Sequence, residues 1–151
     1  MVDVMENLRD RTSICIWIGK NIHAVNAELK ACLQACHECF HYQKRRPIQI
    51  FAVPIAQPYG IDGLCNPQTT PVTILVDVGR VVPQDWLKIV AHEYAHALVG
   101  NFGHHREFAN ILSHLCLGLG LEPPGTDLEG QLRHWPPCKA TLDPLAFWRG
   151  Q

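Results

Sequence analysis

A chain of 151 residues is long enough to bury one real core and fits a single domain spanning 1–151. Hydrophobic residues make up 47% and charged residues 18%, which excludes a disordered chain, and a formal net charge of -1 gives no general attraction for nucleic acid. No apolar run approaches the length of a bilayer span, so no membrane partner is expected.

The opening residues, Met1 to Asp10, lack the basic-then-apolar order of a signal peptide. Seven cysteines, an odd number without an export signal, point to a reduced, cytoplasmic compartment with free thiols. Residues 12–18 are rich in β-branched and aromatic side chains and end at Gly19, which predicts a short first strand. From Asn21, a plausible N-cap, to about Arg45 the period changes. Ile22, Val25, Leu29, Cys32, Leu33, Cys36, Cys39 and Phe40 recur at three- and four-residue steps, the stripe of a long amphipathic helix that Pro47 must end.

Residues 48–53 alternate and meet Pro54, a second strand. The stretch 57–71, rich in Pro, Gly, Asn and Gln, predicts a long loop able to rim a site. Residues 72–78 are nearly continuously apolar, a third strand buried on both faces apart from Asp77. A further helix starts at Pro83 and stops at Gly100, with Leu87, Val90, Ala91, Tyr94 and Leu98 along its apolar side. After a short turn, a last long helix begins near His104 and carries Phe108, Ile111, Leu112, Leu115 and Leu119. The fold class is therefore α+β: a small mixed sheet of about three strands packed on a long N-terminal helix and a helix pair.

That helix pair carries the chemistry. His92-Glu93-Tyr94-Ala95-His96 reads H-E-x-x-H, and on a helix residues four apart share a face, so both imidazoles can aim at one point. Neutral imidazole is a good zinc ligand, and a catalytic zinc takes three protein ligands with one position open to water. Glu93 can reach that water as a general base. The short turn after Gly100 brings the start of the next helix back, so His104 or His105 can supply the third ligand. Glu107 and Glu122 are lesser candidates. A rival metal motif, Cys32-x-x-x-Cys36-x-x-Cys39 followed by His41, has the spacing of iron–sulfur ligands. All three cysteines nevertheless sit on the apolar stripe with Leu29, Leu33 and Phe40, and core packing accounts for them.

His92-Glu93-x-x-His96, followed by Gly103-His104-x-x-x-Phe108 and Leu112, resembles the SprT-like branch of zincin metallopeptidases. The resemblance implies a minimal zincin-like domain holding one Zn2+ per chain, with His92, His96 and His104 as ligands and Glu93 as the catalytic base. It also implies a zinc metalloendopeptidase acting on a protein or peptide substrate in extended conformation. His105 stands where the family pattern has glycine, and Phe102 occupies the position at which the metzincin spacing would need a histidine. No zinc ribbon follows, and the only basic cluster is Lys44-Arg45-Arg46, so a nucleic-acid role is not supported. Oxyanion partners are open among Tyr59, His105, Arg106 and His134. The alternative function is a non-catalytic zinc-binding interaction module, although a purely structural site has no use for Glu93.

The Pro-rich tail, 121–151, contains Trp135, Phe147 and Trp148 and is too apolar for a free linker. It is expected to wrap the domain. The other reading has it cover the cleft, with Cys138 or Asp143 reaching the metal.

Overall fold

The structure, a computed structural model, describes residues 8–55, 59–125 and 129–151. Helix α1 spans Leu8–Glu38, and a 3-10 turn at Tyr42–Lys44 leads into strand β1, Ile48–Ala52. Strand β2 is Gly63–Asn66 and β3 is Val72–Val76. A 3-10 turn at Pro83–Asp85 opens helix α2, Trp86–Val99, which is followed by α3, Arg106–Leu119. One helical turn at Glu129–Leu132 (α4) and a 3-10 turn at Phe147–Arg149 punctuate the C-terminal segment. The α+β class, the long N-terminal helix and the three-stranded mixed sheet are as the sequence predicts.

Two of the three strands are the expected ones; the third is not. Residues 12–18 belong to α1, because Ile14, Trp17 and Ile18 extend the helical stripe of Ile22, Val25 and Leu29 backwards without a break. Ile14 is buried and Trp17 packs edge-on against Phe147 and Trp148, so tertiary contact outweighs a weak β preference. Asn21 is accordingly no N-cap: it lies inside the helix and its side-chain amide donates to the Trp17 carbonyl at 2.9 Å. The helix also stops at Glu38, earlier than Arg45, where Cys39 and Phe40 tighten to i→i−3 hydrogen bonds.

The missing strand comes from the predicted loop. Gly63–Asn66 pairs antiparallel with β3 (Gly63 opposite Val76, Cys65 opposite Ile74), while β1 pairs parallel with β3 on its other side. A four-residue strand containing Gly and Asn has no propensity signal; its partner β3 creates it. Residues 56–58, also within that loop, lie outside the described residues. The sheet order β1-β3-β2 leaves β2 on an edge.

Ile50, Ala52, Cys65, Val72, Ile74 and Val76 face inward onto α1 and α2, while Gln49, Phe51, Leu64, Thr73 and Leu75 face outward. Strand β3 therefore alternates instead of being buried on both faces, because both long helices pack on one side of the sheet. Asp77 departs in the opposite direction. It is 2% exposed, and its carboxylate accepts hydrogen bonds from the backbone N–H of Ile55 and Gly79 and from Trp148 Nε1, at 2.8, 3.1 and 2.8 Å. Burial raises its pKa from the ordinary value, and the three donors pull the other way. Trp148 is wholly buried, so the C-terminal segment wraps the domain through an indole held on a buried acid.

The cysteine-bearing face of α1 is core. Cys36 is fully buried, Cys32 and Cys39 pack against the same core, and all seven cysteines are free. Burial pushes the Cys36 thiol well above its ordinary pKa, away from the thiolate that a metal would need. Nor is the basic cluster a free patch. Arg45 Nε donates to the Phe40 carbonyl, and Arg46 donates to the carbonyls of Ala97 and Pro67, tying the α1–β1 connection to the end of α2. No helix among the described residues is long and apolar enough to cross a membrane.

Candidate metal centre

Helix α2 is mostly buried, and Gly100 ends it in the left-handed conformation with φ of 82°, where a Cβ would be strained. The chain then turns through Asn101, whose side-chain oxygen accepts from the Gly103 backbone N–H at 2.9 Å. This turn carries His104 back over the last turns of α2. His92, His96 and His104 converge, with one ligand atom from each lying within 4.8 Å of the others, and among the described residues they are the one such group. Phe108, fully buried one turn into α3, sets its ring against all three imidazoles at centroid distances of 5.1, 4.5 and 4.9 Å. Its place in the sequence motif thus has a packing reason: it is the platform on which the imidazoles rest.

Of the two neighbouring histidines, the geometry brings His104 to the other two. His104 joins the group, whereas His105 is exposed at the start of α3 with its ring turned onto Gly103. Glu107 and Glu122 are exposed and stand outside the group, as does Phe102. Cys138 lines the cleft but lies outside the ligand group, and its Sγ is turned to the Asp85 and Pro136 carbonyls. Asp143 is paired with Arg149. Of the candidate oxyanion partners only His134 lines the cleft; Tyr59, His105 and Arg106 do not.

The chemistry of the three imidazoles fits a metal ion. His92 Nδ1 donates to the Trp135 carbonyl at 2.6 Å and His96 Nδ1 donates to the Asn101 carbonyl at 3.1 Å. With Nδ1 carrying the proton, each ring leaves its Nε2 lone pair for the centre, the arrangement that fixes tautomer and orientation in metal-ligating histidines. Burial lowers the pKa of His92 and His96 to about 4, so both rings are neutral at pH 7, as ligands must be. His104 Nε2 stands 3.4 Å from His92 Nε2. Two nitrogens bound tetrahedrally at the usual zinc–nitrogen length are about 3.3 Å apart, so this pair is already spaced for an ion.

Glu93 lies on the same side of α2 and is only 8% exposed. Its pKa is raised to about 8 by burial and, secondarily, by the negative charge of Asp62. Glu93, His92, His96 and His104 all line one cleft of about 430 Å³. The floor is α2; one wall is β2 with the residues before it, Gly60 to Cys65, and the other is the C-terminal segment from Arg133 to Cys138.

The sequence places a rim in 57–71 and allows the tail over the cleft, but not the groups through which these walls act. The Trp135 carbonyl that orients His92 is a backbone group 43 residues away and has no side-chain signature. Gly63, against which Glu93 packs, sits in a stretch that reads as loop. Only the Gly-Pro-Asn composition of that loop hinted that it borders a site. Comparison with known proteins adds no name: no protein-family model, no curated protein and no solved structure matches this chain.

Proposed function

We propose that this protein is a zinc-dependent metalloendopeptidase similar to the SprT-like zincins. The reading rests on one observation: three histidines converge on a point beside Glu93, the residue next to the first of them, and all four open into a single cleft. The donor set favours zinc, since three imidazoles without a thiolate or carboxylate match a catalytic site that keeps a fourth position open.

His92, His96 and His104 would hold the zinc ion, which would supply Lewis acidity and lower the pKa of water from about 15.7 towards 7. With the positive charge of a bound ion favouring its ionised form, Glu93 would accept a proton from the attacking water as the water oxygen bonds to the peptide carbonyl carbon. The same carboxylic acid then gives that proton to the amide nitrogen as the C–N bond breaks, leaving Glu93 ready for another cycle. Of the oxyanion candidates drawn from the sequence, His134 is the one that lines this cleft, beside Arg133 and Lys88.

An extended peptide fits the β2 wall. The Asp77 N–H to Asp62 carbonyl bond makes Asp62 and Leu64 the ladder-paired residues of β2, so the N–H and C=O of Gly63 and Cys65 point outward from the sheet edge. A substrate strand added there is held by its main chain, with little demand on sequence.

The test uses purified protein loaded with one equivalent of zinc and an unfolded substrate such as casein. Wild type is expected to cleave, Glu93→Gln to retain zinc without cleaving, and His96→Ala to lose both. Hydrolysis retained in Glu93→Gln removes Glu93 from the reaction. Tight zinc binding with no cleavage of casein or a broad peptide library identifies a non-catalytic zinc-binding module instead.

A further inference from the structure

We infer that Gly63 is a positioning residue for Glu93: its missing side chain is the space in which the Glu93 carboxylate is held beside the substrate edge. The inference rests on the reading of Glu93 as the proton carrier. Glycine in a strand costs stability, and here no left-handed backbone angle requires it. Close approach does. A Cβ built on Gly63 falls 2.9 Å from Ile89 Cγ2, 3.2 Å from Glu93 Cγ and 3.3 Å from Glu93 Oε1. Ile89 and Glu93 are both buried and both line the cleft, but Ile89 is β-branched and stiff whereas the Glu93 side chain turns about three bonds, so a side chain at 63 shifts the carboxylate.

The backbone of the same residue faces the other way. Because Gly63 N–H and C=O point out from the edge of β2, one residue both receives the extended chain and seats the base. Their relative register is thus built into a single position, and misplacement on the order of 1 Å costs about a hundredfold in rate.

Gly63→Ala is compared with wild type and Glu93→Gln, all zinc-loaded, on a fluorogenic peptide that wild type cleaves. The expected result is a fall in kcat of about 10- to 100-fold with KM within about twofold. Zinc affinity, read by competition with a chromophoric chelator, stays within about threefold, because no ligand is touched. Since the methyl also meets Ile89, the pair Ile89→Ala and Gly63→Ala/Ile89→Ala isolates the Glu93 contact and gives the added methyl room to fold. The same drop in kcat between these two supports the inference. A kcat unchanged by Gly63→Ala in both backgrounds overturns it, as does a loss that appears in KM, in zinc affinity or only where Ile89 is intact. If Glu93→Gln itself still cleaves, the base assignment has failed; if it is inactive while Gly63→Ala keeps full kcat, only the role of Gly63 has failed.

Discussion

The two walls of the cleft are built from opposite materials. On the β2 side the wall is a sheet edge without a further strand among the described residues: backbone N–H and C=O groups with glycine where Glu93 packs. On the other side it is an irregular segment bound to α2, to the turn before it and to the chain after α3. Trp135 accepts from His92, Lys139 N–H donates to Asp85 at 2.8 Å, Lys88 donates to the Pro137 carbonyl at 3.2 Å, and Trp135 Nε1 donates to the Glu122 carbonyl at 3.0 Å. One wall thus bears on Glu93, the other on His92. A regular edge offers repeated hydrogen-bond groups to a chain that comes and goes; an irregular strap can place one carbonyl where a single imidazole needs it.

That division can be broken experimentally. The largest effect is expected for His104→Ala, which should weaken zinc binding by on the order of 3–5 kcal/mol, a share of the affinity of a full ligand set, while His105→Ala leaves it within about twofold. Competition titration against a chelator of known affinity measures both, and equal losses would return the third ligand to His105. Next is Asp77→Ala, which leaves the Trp148 indole and two backbone N–H groups buried without their acceptor. A loss of about 2–4 kcal/mol in urea unfolding is expected, with the strap wall loosened before the β2 wall by hydrogen exchange.

Trp135→Ala keeps the carbonyl but removes the indole that anchors it at Glu122. Zinc affinity should fall about 10- to 100-fold with cleavage by the loaded enzyme nearly unchanged. A loss of kcat at saturating zinc would mean that the strap bears on the base as well.

The smallest expected effect is that of Asp85→Asn, about 0.5–1 kcal/mol in thermal or urea unfolding. The Lys139 N–H, and after it Lys88, hold the Asp85 carboxyl below its ordinary pKa. A depressed folded-state pKa means stability that is present above the unfolded value of about 3.9 and lost as pH falls through the folded one. The gap between wild type and Asp85→Asn should therefore be seen at pH 6 and close towards pH 3.

Much of this site was legible because its signals are local. His92 and His96 share a helix face by the geometry of one helix, and Gly100 ends that helix whatever surrounds it. The same periodicity, carried back past Asn21, would have found the first half of α1: Ile14, Trp17 and Ile18 keep the step, and a propensity for strand obscured it. Strand β2 could not be found that way, because a four-residue edge has no pattern until β3 lies beside it.

By itself, then, the sequence determined the α+β class, the helix pair, the two histidines and glutamate of the motif, and a third histidine to be drawn from two neighbours. All of these follow from spacing along one chain segment or from a short turn that forces neighbours together. Tertiary structure alone decided that His104 turns in while His105 turns out, that Asp77 is buried to hold Trp148, and that a carbonyl 43 residues from His92 sets its tautomer. Those outcomes depend on backbone groups and on close approaches between distant segments, and neither leaves a periodic trace in the order of side chains.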